Sequence, residues 1–105
     1  MNVQEKIKQQ IKDHSILLYM KGSAEMPMCG FSARAITILK SCGAPFTTVD
    51  VLQDETIRQG IKIYSNWPTV PQLYINGEFV GGCDIMAEMF EAGELQELIK
   101  TISVG

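Results

Sequence analysis

Three cysteines, Cys29, Cys42 and Cys83, are the residues of this chain best suited to chemistry. Cys29 lies in Met26-Pro27-Met28-Cys29-Gly30-Phe31-Ser32, a Pro-containing loop that opens a helix. Unpaired backbone N–H groups and the helix dipole favour a thiolate at such a place. Lys21, at the end of the preceding apolar run, adds positive charge nearby. A dithiol redox centre would carry its second cysteine three residues on, where this chain has Ser32. A reactive Cys29 therefore has no partner cysteine at that position, and what it works with stays open at this point. Cys42 follows Ile38 and Leu39 on the apolar face of the same helix and reads as core packing. An odd number of cysteines without a Cys-x-x-Cys pair makes neither a disulfide framework nor a zinc site.

Other residues carry weaker signals. Gly81-Gly82-Cys83-Asp84 precedes a helix: glycine permits close backbone approach, and Asp84 either caps the helix or faces a cationic group. A helix N-terminus beside an aspartate also suits an amino-acid zwitterion, whose carboxylate meets the amides and whose ammonium meets the side chain. Pro71 follows Val70 at the start of a strand, a position where sheets tolerate proline, and spacing leaves its cis or trans state open. Trp67 reads as a rigid aromatic wall supporting the turn. Arg58, on the third helix, reads on its own as a solvated helix charge.

These residues need elements to position them. Val3, Ile7 and Ile11 recur every four residues and predict a one-sided helix ended by Asp13 and His14. Ile16 to Met20 is a continuous apolar run that predicts a central strand buried on both faces. After the Gly22 and Pro27 break, Ala33, Ile36 and Leu39 carry helical spacing, stopped by Gly43. Residues 46 to 51 have the β-branched content of a strand, and Asp54 caps a third helix with Ile57, Ile61 and Tyr64. Asn76-Gly77 joins two short strands as a hairpin. Helical residues 85 to 91 follow; Gly93 interrupts, and Leu95, Leu98, Ile99 and Ile102 continue one apolar face. The order α-β-α-β-α-β-β-α predicts an α/β protein of thioredoxin-like plan, a four-stranded mixed sheet flanked by helices, with one domain over 1–105.

Composition narrows the function. With 46% hydrophobic and 20% charged residues and a net charge of -3, the chain reads as an ordinary globular protein. No basic cluster exists to release counterions from a phosphate backbone, so nucleic acid is not an expected partner. No apolar run approaches the ~18 residues of a membrane span. The polar, charged N-terminus is neither a signal peptide nor an Arg-rich transit peptide, and a cytoplasmic location is the expectation.

Three separated motifs occur in order: Lys21-Gly-Ser-Ala-Glu-Met-Pro-Met-Cys29-Gly-Phe-Ser32, Trp67-Pro-Thr-Val-Pro71, and Gly81-Gly-Cys-Asp84. Together they make the chain resemble the monothiol glutaredoxin family of the CGFS type, over nearly its whole length. The resemblance implies a cis Val70–Pro71 bond and a glutathione site. Val70 would offer its backbone to the cysteine of glutathione, Cys83 and Asp84 would hold the γ-glutamyl end, and Lys21 and Arg58 would clamp the glycyl carboxylate. It also implies a [2Fe-2S] cluster held by Cys29 and glutathione from each of two protomers, since such a cluster wants four thiolates. A homodimer when cluster-bound, BolA-family partners and apo iron-sulfur client proteins are the implied partners. The competing class is a glutathione-dependent oxidoreductase that removes glutathione from mixed disulfides, with Cys29 as nucleophile. A binding module without chemistry is the third. The loop between Lys21 and Cys29, typical of the CGFS type, puts cluster carriage ahead.

Overall fold

The computed structural model describes residues 2–102. Helix α1 (Val3–Asp13) starts where Asn2 Oδ1 accepts from the Glu5 N–H at 2.9 Å, and it buries Ile7 and Ile11 on one face. Strand β1 (Ile16–Met20) is buried along its entire length. Helix α2 (Gly30–Cys42) ends at Gly43, whose φ of 78° is left-handed and whose N–H reaches the Lys40 carbonyl. Strand β2 (Thr47–Asp50) runs into one 3-10 turn, Val51–Gln53, and then α3 (Glu55–Ser65), capped by Asp54. Strands β3 (Gln72–Ile75) and β4 (Glu78–Gly81) form the expected hairpin, with Asn76 and Gly77 both at positive φ.

The closing segment differs from expectation in two ways. Helix α4 (Cys83–Glu91) begins two residues earlier than residue 85, so Cys83 and Asp84 are its first residues. Its cap position is Gly82, and Asp84 is an exposed first-turn residue, which removes capping as the account of that carboxylate. At Gly93 the backbone turns left-handed, with φ 77°, and a separate helix α5 (Glu94–Lys100) follows. One apolar stripe thus becomes two helices, because a residue at positive φ cannot continue a right-handed helix.

The sheet order is β2-β1-β3-β4. Strand β1 pairs parallel to β2 and antiparallel to β3, and β3 pairs antiparallel to β4. Side chains alternate across the sheet. Ile16, Leu18 and Met20 pack with Leu39, Met86 and Leu95 on one side. Leu17, Tyr19 and Tyr74 pack with Ile7, Ile11 and Ile61 on the other. The result is three layers, with the sheet between α2, α4 and α5 on one face and α1 and α3 on the other. Each fully buried Leu or Met contributes ~1.5–3 kcal/mol. Among the described residues no helix is long and apolar enough to cross a membrane.

This topology gathers the three motifs. The carboxyl end of β1 leads to Lys21 and Cys29. In the antiparallel register Tyr19 faces Gln72, which puts the amino end of β3, and with it Val70 and Pro71, beside that exit. Leu73 in turn faces Gly81, so the carboxyl end of β4 delivers Gly82 and Cys83 to the same edge.

Candidate functional site

Cys29 occupies the N-cap position of α2 with extended backbone, φ -154° and ψ 138°. A cap residue normally offers a side-chain oxygen to the first-turn amides; here those amides face a sulfur. The backbone N–H of Ser32 is the main influence lowering the thiol below its ordinary range. Burial opposes it and is the next largest influence; the Phe31 N–H, the Lys21 charge and the Ser32 hydroxyl each add smaller effects in the lowering direction. The surroundings of Cys29 thus favour its thiolate form more than those of a free cysteine do. Ser32 is fully buried, and its Oγ accepts from the Lys21 N–H at 3.1 Å. Where a dithiol centre would hold a second sulfur, this chain holds a hydroxyl that ties α2 to the end of β1.

The other two thiols have the opposite character. Burial pushes Cys83 up, with Arg34 working against that rise. Burial also pushes up Cys42, which packs against the core. Cys29, Cys42 and Cys83 are all free. Among the described residues no group of three or more His, Cys, Asp or Glu side chains is placed to hold a metal ion.

Two depressions meet beside Cys29. One, of about 260 Å³, is lined by Lys21, Cys29, Arg58 and Lys62 with Thr69 and Val70. The other, of about 230 Å³, is lined by Trp67, Val70, Pro71, Gly82, Cys83 and Asp84. Phe31, Thr69 and Val70 border both, so the two form one groove. The Val70–Pro71 bond is cis. Lys21, Arg58, Val70, Cys83 and Asp84 therefore line the groove that contains Cys29. Arg58 also lies 3.8 Å from Glu55, one turn back on α3. Trp67 stands as a wall of the groove, tilted against Phe79 with ring centroids 5.7 Å apart.

The groove is electrically lopsided: Lys21, Arg58 and Lys62 crowd one end, and Asp84 stands with the N-terminus of α4 at the other. Sequence reasoning missed Phe31, Thr69 and Lys62. Lys62 was reachable, because it follows Arg58 by four residues and so shares its helix face. Phe31 and Thr69 sit inside the two motifs, but only the fold shows Phe31 as a 63% exposed aromatic on the rim.

A glutaredoxin family profile matches residues 16–80. The chain belongs to the glutaredoxin family. Within that family it is similar to monothiol members. Glutaredoxin 4 of Escherichia coli K12 is 57% identical over 96 residues, covering 91% of this chain and 84% of the relative. A monothiol glutaredoxin ycf64-like protein of Synechocystis, itself uncharacterized, is 55% identical over 95 residues, covering 90% and 89%. Among solved structures, reduced apo GrxS14 of poplar superimposes with a TM-score of 0.82 at 48% identity, over 94% of this chain and 91% of that one. A buckwheat glutaredoxin solved with glutathione superimposes with a TM-score of 0.84 over 94% and 88%; at 22% identity it bears on the glutaredoxin fold alone.

Proposed function

We propose that the protein binds glutathione along this groove and, as a pair of protomers, carries a [2Fe-2S] cluster as cargo for delivery to apo-proteins. One observation carries the reading: a single half-exposed cysteine at a helix N-cap, Cys29, borders a groove with cations at one end and a carboxylate beside helix amides at the other. Glutathione has the matching charges. Its glycyl carboxylate suits Lys21, Arg58 and Lys62, and its γ-glutamyl zwitterion suits the amides of Cys83 and Asp84 with the Asp84 carboxylate. That pose brings the glutathione sulfur past Val70 to Cys29.

The donor chemistry fits the cluster. Soft thiolates select iron-sulfur centres, and four are needed. One chain supplies one, since Cys42 packs half-buried against the core, Cys83 is buried, and burial pushes both thiols up. Two protomers and two glutathiones supply four. Because two of these ligands are exchangeable, the cargo is labile, which suits transfer. BolA-family proteins and apo iron-sulfur proteins are the partner classes for such a carrier.

Anaerobic reconstitution with iron, sulfide and glutathione tests this, read by visible absorbance and by sizing. The expected result is a coloured dimer from a colourless monomer. Cys29→Ser abolishes the colour, Cys42→Ser leaves it, and Cys83→Ser at most weakens it, since the assigned role of Cys83 uses its amide. Cluster formation that survives Cys29→Ser, or that proceeds fully in monomers without glutathione, overturns the carrier reading.

The lowered Cys29 thiol also favours a second activity, removal of glutathione from mixed disulfides. The Cys29 thiolate attacks the glutathione sulfur, a Cys29–glutathione disulfide forms, and the client thiolate leaves. With Ser32 in place of a second thiol, a second glutathione thiolate attacks that disulfide, releasing oxidised glutathione and restoring Cys29. Turnover on a glutathionylated protein, absent in Cys29→Ser, measures it.

A further inference from the structure

Gln72 opens β3 next to the cis Val70–Pro71 bond, and it is one of two fully buried polar side chains among the described residues. A buried amide in a sheet core is costly unless its hydrogen bonds are made. Here they are made to an unusual address. The Gln72 amide nitrogen donates to the Thr69 carbonyl at 3.0 Å and the Trp67 carbonyl at 3.2 Å. The Gln72 Oε1 accepts from the Tyr74 hydroxyl at 3.3 Å. Both loop partners are carbonyls and accept only, so the NH2 group must face them. Tyr74 is itself held by edge contacts with Tyr19 and Tyr64, at centroid distances of 5.8 and 6.1 Å. The core of the molecule therefore grips the peptide planes of the Trp67–Val70 loop through one side chain.

The grip has a directional consequence. The Thr69–Val70 peptide is trans and planar, so its C=O and N–H point in opposite directions. Drawing the Thr69 carbonyl inward to Gln72 turns the Val70 N–H outward, where Val70 borders both halves of the groove. No hydrogen bond among the described residues uses that N–H.

We propose that Gln72 is a positioning residue for the ligand: by clamping the Thr69 carbonyl it aims the Val70 N–H into the groove as a preset donor for the peptide backbone of a glutathione-like ligand. This rests on the glutathione reading above. The clamp itself does not, and the two are separable by experiment.

The probe is reduced glutathione, titrated anaerobically into isotope-labelled wild type and Gln72→Met, which keeps the side-chain length and removes both donors. In wild type the Val70 amide proton moves downfield on binding. In Gln72→Met, shown folded by its spectrum, affinity falls about tenfold and the Val70 response is lost, while resonances at Arg58 and Lys62 still respond. Wild-type affinity in Gln72→Met with an intact Val70 response overturns the proposal. So does wild-type binding in which Val70 stays silent. If wild type binds no glutathione, the ligand reading fails by itself, and the ligand-free proteins test the clamp: the Thr69 carbonyl carbon moves upfield in Gln72→Met if the bond exists and stays put if it does not. Should Gln72→Met not fold, exchange of the Gln72 side-chain amide protons in wild type decides. Coupling is reciprocal, so glutathione slows that exchange if the clamp positions it and leaves it unchanged otherwise.

Discussion

Cys29 differs from Cys42 and Cys83 in its surroundings. Its sulfur faces the Ser32 and Phe31 amides at the head of α2, with Lys21 nearby, and its folded pKa lies below the ordinary value. At a given pH a larger share of Cys29 is then thiolate than of a free cysteine. Iodoacetamide should alkylate Cys29 first, with a rate that rises at lower pH than for free cysteine. Lys21→Ala should move that profile toward higher pH, and an unmoved profile would discount the charge of Lys21. Arg58 tests the other end of the groove. A charge-assisted hydrogen bond to the ligand carboxylate is worth about 1.5–3 kcal/mol, so Arg58→Ala should weaken glutathione binding roughly ten- to a hundredfold by calorimetry. Unchanged affinity would leave Arg58 as the partner of Glu55 alone.

The segment from Lys21 to Cys29 acts as an element although it is neither helix nor strand. Gly22 bridges Pro27, the Met28 N–H donates to the Lys21 carbonyl at 2.9 Å, and Ser23 and Met26 exchange backbone hydrogen bonds. The Asp50 carboxylate, at the end of β2, accepts from the Gly22 N–H at 2.9 Å and ties the loop to the sheet. Gly22 makes this fold possible. Its φ is 88°, and a Cβ there would lie 2.5 Å from the Met26 carbonyl oxygen and 2.6 Å from the Met28 nitrogen. Backbone atoms cannot yield as a flexible side chain does. Gly22→Ala should cost about 1–3 kcal/mol through the unfavourable φ, with more from the clash, and should displace Cys29. The expected readout is a lower thermal midpoint together with slower Cys29 alkylation; stability lost without a change at Cys29 would show the loop to be uncoupled from the thiol.

At the scale of the whole molecule, the α1/α3 side of the sheet contains phenols. Burial raises both Tyr19 and Tyr74, the latter from 10.0 to about 12, and Tyr19 donates to Gln10 Oε1 at 2.7 Å. A folded pKa above the unfolded one means that the stabilising contribution is complete below pH 10 and is lost as pH rises toward and through the folded value. Between pH 10 and about 12 the unfolded chain ionises Tyr74 while the folded chain keeps it neutral. The urea midpoint should therefore fall across this window. In Tyr74→Phe the fall should be shallower, and an identical slope would assign the alkaline loss to other groups.

Periodicity and turn chemistry alone made most of the elements legible. The buried run Ile16 to Met20, the Asp54 cap, the Gly43 stop and the Asn76-Gly77 turn each reflect a local physical requirement, and each lies where the sequence reading puts it. The motif residues were legible as chemistry, but the closing helix was read as one because Leu95, Leu98 and Ile99 extend its stripe past Gly93. Tertiary structure decided what local rules cannot express. Antiparallel registry of β3 against β1 and β4 carries Val70 and Cys83 to the exit of β1, although they lie 41 and 54 residues from Cys29 in the chain. The side-chain clamp of Gln72 on the loop before it was also invisible, since a glutamine at the start of a strand reads as a surface residue until both faces of the sheet are covered. Local sequence determines which segments form; which of them meet depends on strand pairing and the burial of both faces, which belong to the whole chain.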